Sequence, residues 1–247
     1  MRIDAQKLYY RDLNRLIRQA VRHGAEEIVL DNVNGQRYIG DGLSAQTRVI
    51  INGVPGNDLA AFMNGLTIEV NANCQDATGN TMNSGKIVVR GNAGDVVAHS
   101  MRGGRIFIKG DAGYRVGIHM KEYMDQKPII VIGGSVGDFF GEYMAGGILV
   151  LLGLNQSEDG LKYGDYLGTG MHGGRIYIRA DKLDQRRLGA EVRIFETDES
   201  DRAFLDGVLK EFAADMALDF KSIMSRGFLK LLPVSKSPYG NLYTHSL

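Results

Sequence analysis

Six methionines stand in register along the middle of this chain: Met63, Met82, Met101, Met120, Met144 and Met171, the first four of them 19 residues apart. Seven residues before them lie Gly56, Gln75, Gly94, Gly113, Gly137 and Gly164. Three residues before them lie Ala60, Gly79, Ala98, Gly117, Gly141 and Gly168. The shared unit is G-x-x-x-[GA]-x-x-M, followed by polar or glycine residues and a short β-branched run. A period near 20 with small residues at fixed phases marks a solenoid, in which each repeat is one coil that buries its apolar side against its neighbours. Glycines that would each resemble a nucleotide-binding loop thereby become turn residues of stacked coils.

The residue types fit that reading. The first glycine is expected to supply a sharp turn at positive φ, which glycine adopts without a Cβ clash. The second small residue is expected to let adjacent coils approach closely. Methionine, unbranched and polarisable, is expected to point inward and fill an irregular core, with Leu or Ile tolerated in its place. Short strands follow, at Lys86–Arg90, Arg105–Lys109, Ile129–Ile132, Ile148–Leu152 and Arg175–Arg179, most of them closed by Gly91, Gly110, Gly133 or Gly153. The fold class is therefore an all-β solenoid, a parallel β-helix of about seven coils with flanking amino- and carboxy-terminal helices. Residues 1–24 read as an amino-terminal helix, with Leu13, Leu16, Ile17, Ala20 and Val21 on one face and Gly24 as its stop. Residues 25–196 are the repeat region. Residues 197–247 read as a carboxy-terminal helix capped by Thr197 or Asp198, then a tail broken by Pro233 and Pro238, packing on the solenoid. The two helices are expected to cover the solenoid ends, unless self-association does so.

Composition narrows the function classes. The 29 Lys and Arg balance 29 Asp and Glu, which argues against a nucleic-acid binder held by a strong net field, although charge can still be patchy. The 33 glycines are nearly twice the ordinary share of ~7%. The single Cys74 excludes an intrachain disulfide and an all-cysteine metal or Fe–S site, and fits a reducing compartment. Met1-Arg2-Ile3-Asp4 leads into no apolar signal, and the longest aliphatic runs are too short to cross a bilayer. The expectation is a cytoplasmic protein with no membrane contact.

Candidate chemistry is thin. Gly133-Gly134-Ser135-Val136-Gly137 follows a strand as a phosphate loop would, but Gly137 shares its phase with Gly94 and Gly113, and no Lys-Ser/Thr ends the loop. Asp76, Asp95, Asp138 and Asp165 recur one position after the first glycine phase. They could form a calcium ladder, but the simpler reading is that each caps its own turn. His99, His119 and His172 sit at three different phases, so no stacked metal site is implied. A Cys74–His99 dyad would need an activated thiolate that nothing nearby supplies. No catalytic, cofactor-binding or metal residue is assigned.

One departure from the repeat points to an interface. The strand positions charged in the second, third and sixth repeats become Pro128, Ile132, Ile148 and Leu152 in the fourth and fifth, giving an outward apolar strip. Either the carboxy-terminal helix covers this strip or a partner protein does. The insertion from Leu154 to Tyr163 is polar and expected to project.

Two repeats, Gly94-Asp95-Val96-Val97-Ala98-His99-Ser100-Met101-Arg102-Gly103-Gly104-Arg105-Ile106 and Gly164-Asp165-Tyr166-Leu167-Gly168-Thr169-Gly170-Met171-His172-Gly173-Gly174-Arg175-Ile176, resemble the glycine-repeat (GXGXG) domain of the glutamate synthase large subunit. The whole chain looks like the stand-alone form of that domain, a separate subunit. A related repeat occurs in one of the subunits of formylmethanofuran dehydrogenase and in the smaller subunits of N-methylglutamate synthase. The resemblance implies a right-handed β-helix and a non-catalytic structural subunit. It would position two partners, a glutamine amidotransferase subunit and a synthase subunit that carries FMN and an Fe–S cluster, for glutamate biosynthesis and ammonia assimilation. The alternatives are the equivalent scaffold role in N-methylglutamate synthase or formylmethanofuran dehydrogenase and, from another class, a ligand- or metal-binding enzyme in its own right. FMN and Fe–S would then belong to the partners, with no cofactor in this chain. No catalytic residue can be carried over: Arg2 follows Met1 where the family's amidotransferase has its nucleophilic cysteine, and one cysteine cannot hold a cluster.

Overall fold

The computed structural model describes residues 1–155 and 163–234. The chain opens with strand β1 (Arg2–Asp4) and helix α1 (Tyr10–Arg22). Strands β2 (Glu27–Asn34), β3 (Arg48–Val54), β4 (Asn64–Val70), β5 (Ser84–Val89), β6 (Arg105–Ile108), β7 (Ile129–Ile132), β8 (Ala145–Leu151) and β9 (Gly173–Ile178) follow, one per coil. Each pairs parallel with the next in the chain, so the sheet grows in sequence order. This is the expected all-β solenoid. The first segment is not helix throughout: in β1 the alternation Arg2-Ile3-Asp4 turns Ile3 inward, and the strand pairs parallel with β2.

The period-two alternation of a strand sorts each coil's aliphatic residues into two cores. Inward residues stack as Ile68 and Val70, Ile87 and Val89, Ile106 and Ile108, Ile130 and Ile132, Leu149 and Leu151, Ile176 and Ile178. They fill the solenoid interior with Leu13, Ile17 and Ala20 of α1, which packs on the first coil through Asn14 to the Arg37 carbonyl (2.8 Å) and Arg18 to the Asp41 carbonyl (2.6 Å). Outward residues Val88, Phe107, Val131, Val150 and Tyr177 make the second core.

The remaining elements are β10 (Val192–Glu196), α2 (Glu199–Met216), the short α3 (Phe220–Ile223) and β11 (Leu229–Pro233). α2 starts with a capping box: Asp198 accepts from the Asp201 amide and Asp201 accepts from the Asp198 amide, both at 3.0 Å. Its buried face, Leu205, Val208, Leu209, Phe212 and Met216, lies on the outward core. The carboxy-terminal helix therefore covers the flank of the sheet and not its end. The end is closed by β11, which enters antiparallel between β9 and β10 and brings Leu231 and Val192 into the interior core. The tail thus has regular structure up to Pro233, whose missing N–H is harmless at the last position of a strand. No helix among the described residues is long and apolar enough to cross a membrane. The insertion expected to project lies, from residue 156 to residue 162, outside the described residues.

Candidate functional site

The recurring polar residues hold one coil to the next. Asp76 Oδ1 accepts from the Asp95 amide (2.9 Å), Asp95 Oδ1 from the Tyr114 amide (2.9 Å) and Asp138 Oδ1 from the Asp165 amide (2.8 Å). A second ladder runs three positions earlier: Asn73 to the Asn92 amide (2.8 Å), Asn92 to the Asp111 amide (2.9 Å), Asp111 to the Ser135 amide (2.6 Å). The expectation that each aspartate caps its own turn is not met at Asp76, Asp95 and Asp138, while Asp165 pairs with Arg187 at 3.5 Å. The aspartates reach across the coil spacing, because the next coil's amide is the unpaired donor that each carboxylate faces.

These ladders correct the role of the first glycine phase. Gly56, Gly94, Gly113, Gly137 and Gly164 do not take positive φ. A Cβ at Gly113 would lie 1.9 Å from Asp95 Oδ1, and one at Gly94 would lie 2.1 Å from Asp76 Oδ1. Glycine at these two positions is clearance for the ladder oxygen, and at Gly56 and Gly164 it is clearance for the backbone of the preceding coil, with Gly35 O at 2.3 Å and Asp138 N at 2.2 Å from an added Cβ. The positive-φ turn belongs to the second small residue: Gly79, Gly117, Gly141 and Gly168 adopt it, as do Ala60 and Ala98. At Gly117, φ is +75° and a Cβ would approach Leu149 to 2.9 Å. The residues two before and two after also have positive φ, as in Val96 and Ser100 or Arg115 and His119, so every such corner alternates handedness. Its amides pair with both neighbours: Gly117 donates back to the Val97 carbonyl (2.8 Å) while Arg115 and His119 donate forward to the carbonyls of Asp138 (2.9 Å) and Glu142 (3.0 Å).

Met63, Met82, Met101, Met120, Met144 and Met171 are all fully buried in the interior core. The terminal methyls of Met82, Met120 and Met144 fill space opposite glycines of the following coil: an added Cβ would meet Met82 Cε at 2.5 Å from Gly104, Met120 Cε at 2.9 Å from Gly147 and Met144 Cε at 2.4 Å from Gly174.

The apolar strip is partly relocated. Ile148 and Leu152 do face outward and lie in the core beneath α2. Ile132 points into the solenoid, and the strand register aligns Arg105 with Ile129, not with Pro128. A one-residue slip changes the face of every side chain, so the outward residues of β7 are Ile129 and Val131. The charged positions clamp α2 from the sides: Lys86 binds Glu211 (2.8 Å) and Asp215 (2.5 Å), and Arg105 binds Glu211. Phe212 packs edge-on against Phe107, with centroids 5.7 Å apart. Beneath the start of α2 lies a polar knot that sequence reasoning missed. Asp201, 1% exposed, accepts from Tyr177 Oη (2.6 Å) and from Lys230. Burial opposes the charge on Asp201, but hydrogen bonds from Lys230 and Tyr177 outweigh it and hold the carboxyl below its ordinary range. Burial and the Asp201 carboxylate push the Tyr177 phenol up to about 12. The signal was out of reach because the three residues come from separate elements.

Other expected groups find structural places. Ser135 of the glycine-rich run donates its amide and hydroxyl to Asp111 Oδ1 (2.6 and 2.7 Å), so this turn is one more ladder rung. Cys74 is buried, and desolvation pushes its thiol up to about 11, the opposite of an activated thiolate. His99 and His119 do meet, edge to face at 5.8 Å, and His119 stacks on Tyr143 at 5.4 Å, while His172 turns to the Gly170 carbonyl. Phe139 stacks on Tyr166 at 5.0 Å with the Arg115 guanidinium also over its ring, so the positive-φ corner carries an aromatic ridge. Among the described residues, no three His, Cys, Asp or Glu side chains converge to hold a metal ion.

The model of the GXGXG motif family matches residues 18–233, which span strands β2 to β11 with part of α1 and all of α2. The chain belongs to the GXGXG motif family. An uncharacterized protein of Methanocaldococcus jannaschii is 48% identical to it over 253 residues, covering 99% of this chain and 97% of its own. Among solved structures, a chain of the formyltransferase/hydrolase complex of Methylorubrum extorquens, solved in complex with methylofuran, matches with a TM-score of 0.60. It is 19% identical and the match covers 87% of this chain and 86% of that one. That likeness is one of fold.

Proposed function

We propose that this GXGXG chain is a structural subunit of a glutamate synthase-type oxidoreductase complex. It would hold a glutamine amidotransferase subunit and an FMN- and Fe–S-containing synthase subunit in relative position. The observation that carries the reading is the use made of the repeated polar side chains. The carboxylates and amides that could do chemistry at a repeated phase are committed to amides of the next coil. What such a chain offers a partner is a rigid rod with long uniform faces. Family membership and the quoted repeats support placing it with glutamate synthase. The fold shared with a chain of a formyltransferase/hydrolase complex supports equally a second reading, the same scaffold role in a formylmethanofuran dehydrogenase or N-methylglutamate synthase assembly. A fold carries many functions, so partners decide between them. In either case the chain works in the cytoplasm and the cofactors belong to its partners.

The test is co-purification of the native protein from its own cells, with mass spectrometry and a visible absorption spectrum. A glutamine amidotransferase together with a yellow-brown flavin and Fe–S protein supports the first reading. Formyl-transferring or hydrolase subunits support the second. A colourless protein that elutes alone at native concentration would remove the scaffold role.

A further inference from the structure

The exposed side of α1 carries Arg11, Arg15, Arg18 and Arg22, spaced i, i+4, i+7 and i+11, opposite the face that buries Leu13, Ile17 and Ala20. Helical periodicity places them in one row, about 16 Å long at 1.5 Å per residue. The row borders a shallow cavity of about 340 Å³ that Tyr10 and Tyr38 also line. Two guanidinium groups lie over the Tyr10 ring, Arg37 at 5.4 Å and Arg11 at 5.8 Å from its centre, and the ring tilts against Tyr38 at 5.6 Å.

Little acid offsets this charge. Arg15 pairs with Asp12 at 3.0 Å. Arg18 reaches the Asp41 main-chain carbonyl, and Asp41 is the carboxylate lining the cavity. Among the described residues, Arg11, Arg18, Arg22 and Arg37 form no salt bridge. The chain as a whole has zero net charge, so this is a local concentration of positive charge at one end of a neutral rod.

We infer that this face of α1, with Tyr10 and Tyr38, is a docking surface for an acidic segment of a partner protein. The inference deepens the scaffold reading and rests on it. Three physical points select this occupant. A guanidinium fork matches a carboxylate bidentately. Arginine and tyrosine are the side chains that dominate protein interfaces when desolvated together. The arginines stand in a row with neighbours about 5–6 Å apart along the helix and do not converge on a point. A row suits a succession of carboxylates better than one compact phosphate.

The experiment uses the full chain at low ionic strength and a fluorescein-labelled oligoglutamate peptide, followed by anisotropy. Sodium triphosphate and phosphatidylserine vesicles are the competing probes. Expected is one peptide per chain, weakened at least tenfold by R11E with R22E. A control pair of equal charge change in the turn before β7, K121E with K127E, should leave it unchanged. Arg11 and Arg22 make no bond to the solenoid, and R22S serves if the double variant fails to fold. Equal weakening by both pairs would mean general electrostatics and would overturn the proposal. So would no peptide binding, or tighter binding of triphosphate or vesicles. Failure here leaves the co-purification test of the scaffold role untouched.

Discussion

Gly113 and Gly207 show what decides a glycine's value. At Gly113 an added methyl would overlap Asp95 Oδ1, whose lone pair is already engaged by the Tyr114 amide. Gly113→Ala must break that bond or shift a coil, and should lose about 1–3 kcal/mol, the range for overpacking. At Gly207, inside α2, nothing lies within 4 Å of the added atom, so Gly207→Ala should gain roughly 0.5–1 kcal/mol of helix propensity. Urea titration of the pair checks both signs. The methionine phase gives a graded test. Met82→Leu keeps the volume but not the reach towards Gly104 and should cost about 1 kcal/mol, while Met82→Ala should cost about 2–5 kcal/mol. A Met82→Leu variant as stable as the native chain would mean that the methyl contact is immaterial.

α2 is held by apolar burial in its middle and by charge at its margins, and the polar knot at its start makes its docking pH-dependent. The Asp201 carboxyl is depressed in the folded chain. A depressed carboxyl contributes stability that is fully present above its unfolded value of about 4 and is lost as pH falls through the lower folded value. Stability of the native chain should therefore drop below about pH 4 more steeply than that of Asp201→Asn, measured as urea midpoints across pH. Asp201→Asn should also be less stable at neutral pH, because Lys230 loses its buried partner. Parallel midpoint curves would show that the knot does not titrate with folding. The turn before β7 accounts for the shifted register of that strand beneath the helix. Met120 and Met144 are 24 residues apart, and the extra residues are taken up in the turn bridged by Tyr123 and Gln126. Nothing in the sequence says on which side of β7 they are absorbed, so spacing alone puts Ile132 on the wrong face by one residue.

The whole molecule is a one-dimensional stack with a flank of the sheet covered by a helix from the far end of the chain. Each strand contacts mainly its two neighbours, so stability is a sum of coils and coil interfaces. α2, in contrast, returns across several coils and ties β5 to β9 together through Lys86, Arg105, Phe107 and Tyr177. A chain ending at Thr197 should leave Phe107, Val131 and Val150 exposed on a flat sheet. It should then bind a hydrophobic dye strongly and aggregate. A soluble, dye-silent monomer would show that the outward core is dispensable.

The methionine register and the small-residue phases were enough to specify a solenoid, most of its strands and its inward methionines, because a stacked coil repeats the same environment at the same phase. The sequence also contained the ladder aspartates and glycines, but not their pairing. A side chain that bonds its own turn and one that bonds the next coil look the same along the chain, and only the coil spacing separates them. Which flank α2 covers, where β11 inserts, and the meeting of Tyr177, Asp201 and Lys230 were decided by tertiary structure alone. These contacts join segments whose periodicities are independent, so no spacing in the sequence encodes them.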